Sequence, residues 1–367
     1  MRILVVNSGS SSLKLRVLDG DDVAASADLP AIDPADAEAG AKLEEEIAAL
    51  GPVDAVGHRI VHGGVRFAAP IEIDDAVVQE LASLSELAPL HQPRCLAAVD
   101  AARRALPDQP HVAAFDTAFH ATIPDAAATY ALPAEWRARW PIRRYGFHGL
   151  SHAWATRRAG ELLGRPGDRL RLVTCHLGAG ASLAAVAGGR SVDTTMGFTP
   201  LEGLVMATRS GSVDPGLVLW LQQQGGLHVD AVADGLERRA GLAGLAGSAD
   251  MREVLAGAAR GAPDATLARD VYVHRLRASI AAMAAALRGV DAVVFTGGVG
   301  EHAPEIRRRA VDGLDFLGLQ VDEARNSATA TDDLIDRRIS VDGPTAILVI
   351  ESREDLEIAR QVGSFLG

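Results

Sequence analysis

The chain has 367 residues, enough for two domains with their own cores, and 48% of them are apolar, so it reads as globular. A net charge of −12 argues against general affinity for nucleic acid or membrane surfaces, though not against a locally bound anion. No stretch of about 18 apolar residues and no basic-plus-apolar leader is visible, and the only two cysteines, Cys95 and Cys175, lack metal or redox spacing, which suits a reducing cytoplasm.

The first predicted strand, Ile3–Val6, runs into NSGSSSLK, residues 7–14. A plain hairpin turn, a serine nucleophile with a lysine base, and a loop that holds phosphate all suit these residues. Ser11-Ser12-Leu13-Lys14 fits S-x-x-K, but the S-D-N and K-T-G partners of that class do not occur. Lys14 is one of only two lysines among 36 basic residues, so a compact point charge stands out in this loop. Residues 33–49 read as an exposed helix or loop. The strand Val53–Val56 leads to GHRIVHGG, which carries Arg59, and helical patterns follow over Ala76–Leu87 and Arg94–Ala105. The strand Val112–Phe115 delivers Asp116 in FDTAFH, and YGFHGLSH precedes a helix over Ala153–Leu163.

Histidines four apart, His58 with His62 and His148 with His152, raise a metal alternative. Glycine flanks both pairs and no H-E-x-x-H or cysteine ligand accompanies them, so structural or substrate-contacting roles are favoured over zinc. The strand Leu170–Cys175 opens HLGAGASL, with a return strand at Ala184–Val186. This second strand–loop–strand echoes residues 4–13 and suggests a duplicated domain, with a loop from each half facing one cleft. After a helix over Arg269–Arg288, the strand Ala292–Thr296 enters a third glycine-rich turn, GGVGEH, whose backbone N–H groups at a helix start suit an anion. The strand Thr345–Ile350 and a helix over Glu354–Gly363 close the chain. Strands alternating with helices give an α/β fold. No Walker A loop and no Rossmann fingerprint occur. Arg59, Asp116, His148 and Arg209, each beside glycine or at the end of an apolar run, together supply what phosphoryl transfer between anions requires.

Taken in order, VVNSGSSSLK, GHRIVHGG, LAPLHQP, FDTAFH, YGFHGLSH, HLGAGASL, MGFTPLEGL, TRSGSVDPG, SADMREV, FTGGVGE and ESREDLEIAR resemble the acetate kinase family, within the sugar kinase, Hsp70 and actin superfamily. The resemblance implies two related α/β domains of ribonuclease H-like type around a central nucleotide cleft. The first would comprise residues 1–118 and 354–367, closed by the C-terminal helix, and the second residues 119–353. It implies reversible, direct in-line transfer from ATP to acetate, giving ADP and acetyl phosphate, in a cytoplasmic homodimer that binds neither nucleic acid nor membrane. Propionate kinase is the sibling alternative, and a non-catalytic nucleotide-binding regulator is a reading from another class.

Carried over position by position, Arg59 would hold the acetate carboxylate, with Val61, Leu90, Phe147 and Pro200 walling the methyl pocket. Asp116, His148 and Arg209 would be catalytic. Ser12, Lys14, the loop His176, Leu177, Gly178, Ala179 and Gly180, the stretch Asp250, Met251 and Arg252, and the turn Gly298, Val299, Gly300, Glu301 and His302 would hold ATP or ADP. Asn7 and Glu354 would hold Mg²⁺, or Mn²⁺ in its place. Acetate is already ionised at neutral pH and needs no base. The obstacle is repulsion between anions, so Asp116 would orient a cation or water rather than abstract a proton. Against the family pattern, Ala179 and His302 each replace an asparagine near the nucleotide, Gln92 replaces an asparagine in LAPLHQP, and SRED stands where TNEE is usual.

Overall fold

In a computed structural model, which describes residues 1–9, 12–34, 36–89, 91–328 and 335–367, the chain divides into two units. The first comprises Met1–Ala121, Phe147–Trp154 and Arg353–Gly367, and the second Thr122–Gly146 and Ala155–Ser352.

The first unit is built on six strands: β1 (Arg2–Ser8), β2 (Ser12–Asp19), β3 (Asp22–Pro30), β4 (Ala55–Ile60), β5 (Ile71–Glu72) and β6 (His111–Phe115). Their order across the sheet is β3-β2-β1-β4-β6-β5. β1, β4 and β6 run parallel, while β2, β3 and β5 pair antiparallel to their neighbours. Ile3, Leu4, Val5 and Val6 are all buried, as a strand covered on both faces must be. On one face the helices Ala37–Ala49 and Gln92–Ala105 bury Leu43, Ile47, Ala98 and Ala102 against Leu4, Val6, Leu15 and Val56. On the other lies the helix Glu354–Leu366. A Cβ on Gly57 would sit 2.7 and 2.8 Å from the Cγ2 atoms of Ile358 and Val362, so only glycine lets that helix approach β4.

The second unit has β7 (Arg171–Leu177), β8 (Ala181–Ala187), β9 (Arg190–Thr194), β10 (Ala292–Thr296), β11 (Arg337–Arg338) and β12 (Ala346–Val349), ordered β11-β12-β10-β7-β8-β9. Read from its other edge, this is the first sheet again: two antiparallel strands, three parallel strands, and a short antiparallel edge strand. Even the irregularity recurs. The second strand of each hairpin slips register against the third, at Val17/Leu18 and at Ala185/Val186. The sequence echo between residues 4–13 and 172–183 is therefore a structural duplication, and the expected pair of related α/β domains is the fold observed.

The predicted elements are present with shifted ends. The strand expected at Val53–Val56 runs over Ala55–Ile60, because its continuation carries a glycine, a histidine and an arginine that look unlike a strand. The helix expected at Arg269–Arg288 spans Pro263–Ala286, with proline in its first turn. Within the segment read as helix or loop, a helix starts at Ala37, where Asp36 accepts the N–H groups of Glu38 and Ala39.

Candidate functional site

In the first unit the parallel strands β1, β4 and β6 end side by side, which is where open α/β sheets bind ligands. Asn7 stands near the end of β1, Arg59 near the end of β4, and Asp116 directly after β6, its N–H bonded to the Ile60 carbonyl at 3.0 Å. Glu354 is the first residue of the C-terminal helix, where the helix dipole favours a carboxylate. Long-range folding joins the four into one chain of contacts. The Arg59 guanidinium donates to the Asp116 carboxylate from Nη2 at 2.7 Å and from Nε at 3.2 Å. Its Nη1 donates to Asn7 Oδ1 at 3.2 Å and lies 3.9 Å from Glu354 Oε2. Asn7 Nδ2 donates to the same Glu354 oxygen at 3.0 Å. Asp116 is 1% exposed and Arg59 13%, so this is a nearly dry ion pair.

Burial alone would weaken the hold of Arg59 on its proton, but the charges of Asp116 and Glu354 overcome this and keep it firmly cationic. Burial also pushes the Asp116 carboxyl up, while the Arg59 fork and the N–H of His148 pull the other way. His148 has φ of +57°, in the left-handed region that β-carbon-bearing residues seldom occupy. That conformation turns consecutive N–H groups toward Asp116: His148 N–H to the carboxylate and Gly149 N–H to the backbone carbonyl at 2.9 Å.

Val61 and Phe147 are buried nearby, with the His62 ring edge-on to Phe147 at 5.5 Å. Beneath them Cys95 meets the Val61 N–H, and burial pushes its thiol up to about 11, so it stays protonated and unreactive. Gln92 is fully buried and brackets His62 with both ends of its amide: Oε1 accepts the His62 N–H and Nε2 donates to the His62 carbonyl. Leu90 lies outside the described residues. Ser12 and Lys14 sit on β2, Lys14 directly opposite Asn7 and exposed.

The histidine pairs do not form metal-binding faces. His58 stacks on His111, with Nε2 2.9 Å from its partner's Nδ1, and His62 Nδ1 accepts the Gly64 N–H. Among the described residues no three His, Cys, Asp or Glu side chains form a metal cage of their own. Glu354 and Asn7 offer one carboxylate and one amide oxygen. That donor set suits Mg²⁺, which commonly takes one or two carboxylates and completes its shell with phosphate and water.

In the second unit, β7 and β10 are parallel neighbours with His176 opposite Thr296, so the loop His176–Gly180 and the turn Gly297–His302 lie together. Gly297 has φ of +76°, and a Cβ there would stand 2.9 Å from the Leu177 carbonyl oxygen. Gly178 N–H closes a tight turn onto Gly180 O at 2.8 Å, and the Ala179 carbonyl accepts the Ala207 N–H at 3.0 Å. Gly298 has open space above it, and His302 is largely exposed. Val299 is half-buried and Gly300 buried. Glu301 is turned inward: its Oε1 accepts the N–H of Gly297 at 2.7 Å and of Ser352 at 2.9 Å. Burial raises its pKa, although both N–H groups favour the charged form.

Arg209 donates from Nη1 to the Pro200 carbonyl at 3.1 Å, and burial lowers its pKa. Asp250, Met251 and Arg252 open a separate helix, Met251–Ala259. Asp250 caps it and pairs with Arg252 at 2.6 Å, while Met251 is a core side chain. The structure thus gathers Asn7, Arg59, Asp116, His148 and Glu354 in the first unit, and the loops 176–180 and 297–302 in the second. Sequence reading missed Gly149, whose signal was the glycine after His148, and the cluster of Tyr130, Arg144 and Glu202, which no local pattern marks.

The sequence pattern of the Acetokinase family matches residues 37–360. The chain is 47% identical over 394 aligned residues to acetate kinase of Clavibacter michiganensis subsp. michiganensis, covering 98% of each chain. Among solved structures, Porphyromonas gingivalis acetate kinase superposes with a TM-score of 0.90 at 34% identity, covering all of both chains. A propionate kinase from Francisella tularensis superposes at 0.89 with 33% identity over 98% of both. On the matched pattern, the near-complete coverage and the doubled fold, this chain belongs to the acetokinase family.

Proposed function

We propose that the chain is an acetate kinase that transfers the γ-phosphoryl group of ATP directly and reversibly to acetate, giving acetyl phosphate and ADP. The observation that carries this reading is Arg59, a buried, permanently charged guanidinium at the ends of the parallel strands, in a chain of this family. The bonds named above use Nε and each Nη once, so among the described residues the fork retains N–H groups for the acetate carboxylate. Asp116, already engaged by Arg59 and His148, would hold Arg59 in place rather than take a proton. Val61, Phe147, Leu90 and Pro200 would enclose the methyl group. Arg209, a half-buried cation that gains from any arriving anion, and His148 would neutralise charge on the phosphoryl oxygens.

Ser12, Lys14, the loop 176–180, residues 250–252 and the turn 298–302 would contact the nucleotide. Within that turn Glu301 would act through the backbone it ties down. Glu354 and Asn7 would hold Mg²⁺ or Mn²⁺. When bound with ATP, the ion supplies charge neutralisation on the phosphates.

We place the protein in the cytoplasm, where its two free, buried cysteines are stable as thiols. No helix among the described residues is long and apolar enough to cross a membrane. We also infer a homodimer. Val213, Leu217, Leu219, Trp220, Leu227 and Val229 expose large apolar side chains within one short segment of the second unit, more than an isolated surface usually leaves uncovered.

The test is acyl phosphate formation trapped with hydroxylamine, using ATP and a series of short carboxylates. Acetate should give hydroxamate with kcat/KM about tenfold above propionate, because Val61 is stiff at χ1 and one methylene is worth roughly that discrimination. No hydroxamate from any carboxylate would overturn the reading. Propionate turning over faster than acetate would reassign the chain to a sibling acyl kinase.

A further inference from the structure

Within the second unit, three side chains from distant parts of the sequence close around the segment Thr195–Pro200. Tyr130 Oη donates to Glu202 Oε2 and accepts the Phe198 N–H at 2.9 Å. Arg144 Nη2 donates to the other oxygen of Glu202 at 2.7 Å, while its Nη1 donates to the carbonyls of Thr195 and Met196, both at 3.1 Å. The Arg144 guanidinium also lies over the Tyr130 ring, 5.5 Å from its centroid. Gly197 occupies the centre. A Cβ there would fall 1.8 Å from Glu202 Oε2 and 2.1 Å from Tyr130 Oη, and the Gly197 carbonyl accepts the Tyr145 N–H at 3.0 Å. The segment is thus fixed at Thr195, Met196, Gly197 and Phe198. Two residues on, the Pro200 carbonyl accepts Arg209 Nη1.

We propose that Tyr130, Arg144 and Glu202 are positioning residues. They fix the Thr195–Pro200 segment, and through the Pro200 carbonyl they set the direction of the Arg209 guanidinium. The proposal rests on the acetate kinase reading for its kinetic consequence, but not for its structural one. The three form a closed set of charge-assisted bonds. Glu202 accepts one bond from a phenol and one from a guanidinium, on different oxygens, and both partners in turn grip the backbone. A segment held this way keeps its carbonyl within hydrogen-bond reach of Arg209 without reorganisation during the reaction, which is the preorganisation that transition-state stabilisation requires. Removing the phenol oxygen leaves Glu202 short of a donor and the Phe198 N–H short of an acceptor, while the ring remains under Arg144.

The variants are Tyr130→Phe, Glu202→Gln and Arg144→Lys, with Ile280→Val as a control for general loss of core packing. Two readouts are taken on the full chain: amide hydrogen exchange of residues 195–204, and kcat with separate KM values for acetate and ATP. Tyr130→Phe should speed exchange in 195–204 and lower kcat about tenfold, the kinetic equivalent of one charge-assisted hydrogen bond, with the KM for ATP within about twofold of wild type. Glu202→Gln, whose single amide oxygen can accept from only one of its two partners, should fall between wild type and Tyr130→Phe in both protection and rate. Ile280→Val should change neither local exchange nor kcat. Unchanged exchange in Tyr130→Phe overturns the clamp. Accelerated exchange with kcat unchanged overturns its link to Arg209. If the wild-type chain makes no acyl phosphate, the functional reading fails, and the clamp is then judged on exchange alone.

Discussion

Gly149 carries no side chain because Asp116 leaves no room for one. A Cβ at this position would stand 2.1 Å from the Asp116 carbonyl oxygen and 2.9 Å from Phe119 Cβ. Asp116 cannot step back, since its N–H is bonded to Ile60 and its carboxylate to Arg59. Gly149→Ala should therefore push the carboxylate off the Arg59 fork, costing about 1–3 kcal/mol from overpacking together with most of the activity. Gly363→Ala is the comparison: it sits in the C-terminal helix with nothing within 4 Å of its Cβ position, and it should gain about 0.5–1 kcal/mol. Urea midpoints and hydroxamate rates for the two variants check this. A Gly149→Ala protein with wild-type stability and rate would mean that the turn after His148 is far softer than its contacts imply. The Arg59–Asp116 pair raises a related point. Leaving either partner alone in this dry setting is costly, so loss of activity on truncating one mixes a missing contact with a stranded charge.

At the scale of elements, the turn Gly297–His302 shows what a sequence motif conveys and what it hides. GGVGEH after an apolar strand was legible as a glycine-rich turn opening a helix, and the helix is there. Its first N–H, however, is taken by Glu301 from within the same turn, and the same oxygen holds Ser352, 51 residues away. No local pattern could reveal that second bond. Glu301→Leu would strand both N–H groups, each costing about 1–3 kcal/mol if left unsatisfied. The turn would loosen against Leu177, so the KM for ATP should rise several-fold while the KM for acetate holds. Glu301→Gln, which keeps an acceptor, should be mild. Equal effects on both KM values would show that Glu301 supports the whole unit rather than the turn.

The same contrast governs what else could be read. β1, β10 and β12 are continuous apolar runs and stand out at once. β4 was cut short because His58 and Arg59 interrupt it. The helices Pro215–Gln223 and Val229–Arg238 are not marked among the predicted elements. In the first, Leu217, Leu219 and Trp220 are exposed, so no apolar stripe faces a core. The candidate residues that cluster within each unit follow from motif order, whereas the Tyr130–Glu202 link spans 72 positions with no periodic trace.

For the molecule as a whole, the relevant charges are those that appear when pH falls. The chain is acidic at neutral pH, yet the first unit buries His58, His62, His111, His120 and His152. Burial holds His62 and His120 down at about 4, drives His58 well below its usual range, and lowers His111. In the unfolded chain each would titrate near 6.5. Between those values the unfolded state binds more protons than the native one, so stability falls as pH falls. The contribution is fully present above about 6.5 and is lost by about 4, and a shift from 6.5 to 4 amounts to about 3 kcal/mol for each of His62 and His120. Two such groups approach the lower end of the stability of an ordinary domain, about 5–15 kcal/mol, so acid should weaken this unit severely by the time pH nears the carboxylate range. Urea unfolding followed by far-UV circular dichroism should show the midpoint dropping steadily from pH 7 to pH 4.5. His62→Asn leaves an acceptor near the position of Nδ1 for the Gly64 N–H and removes one titration, so it should flatten the slope, with a lower starting stability at pH 7 from the lost ring packing on Phe147. A wild-type midpoint that stays level down to pH 5 would show that the buried rings accept protons without leaving the fold.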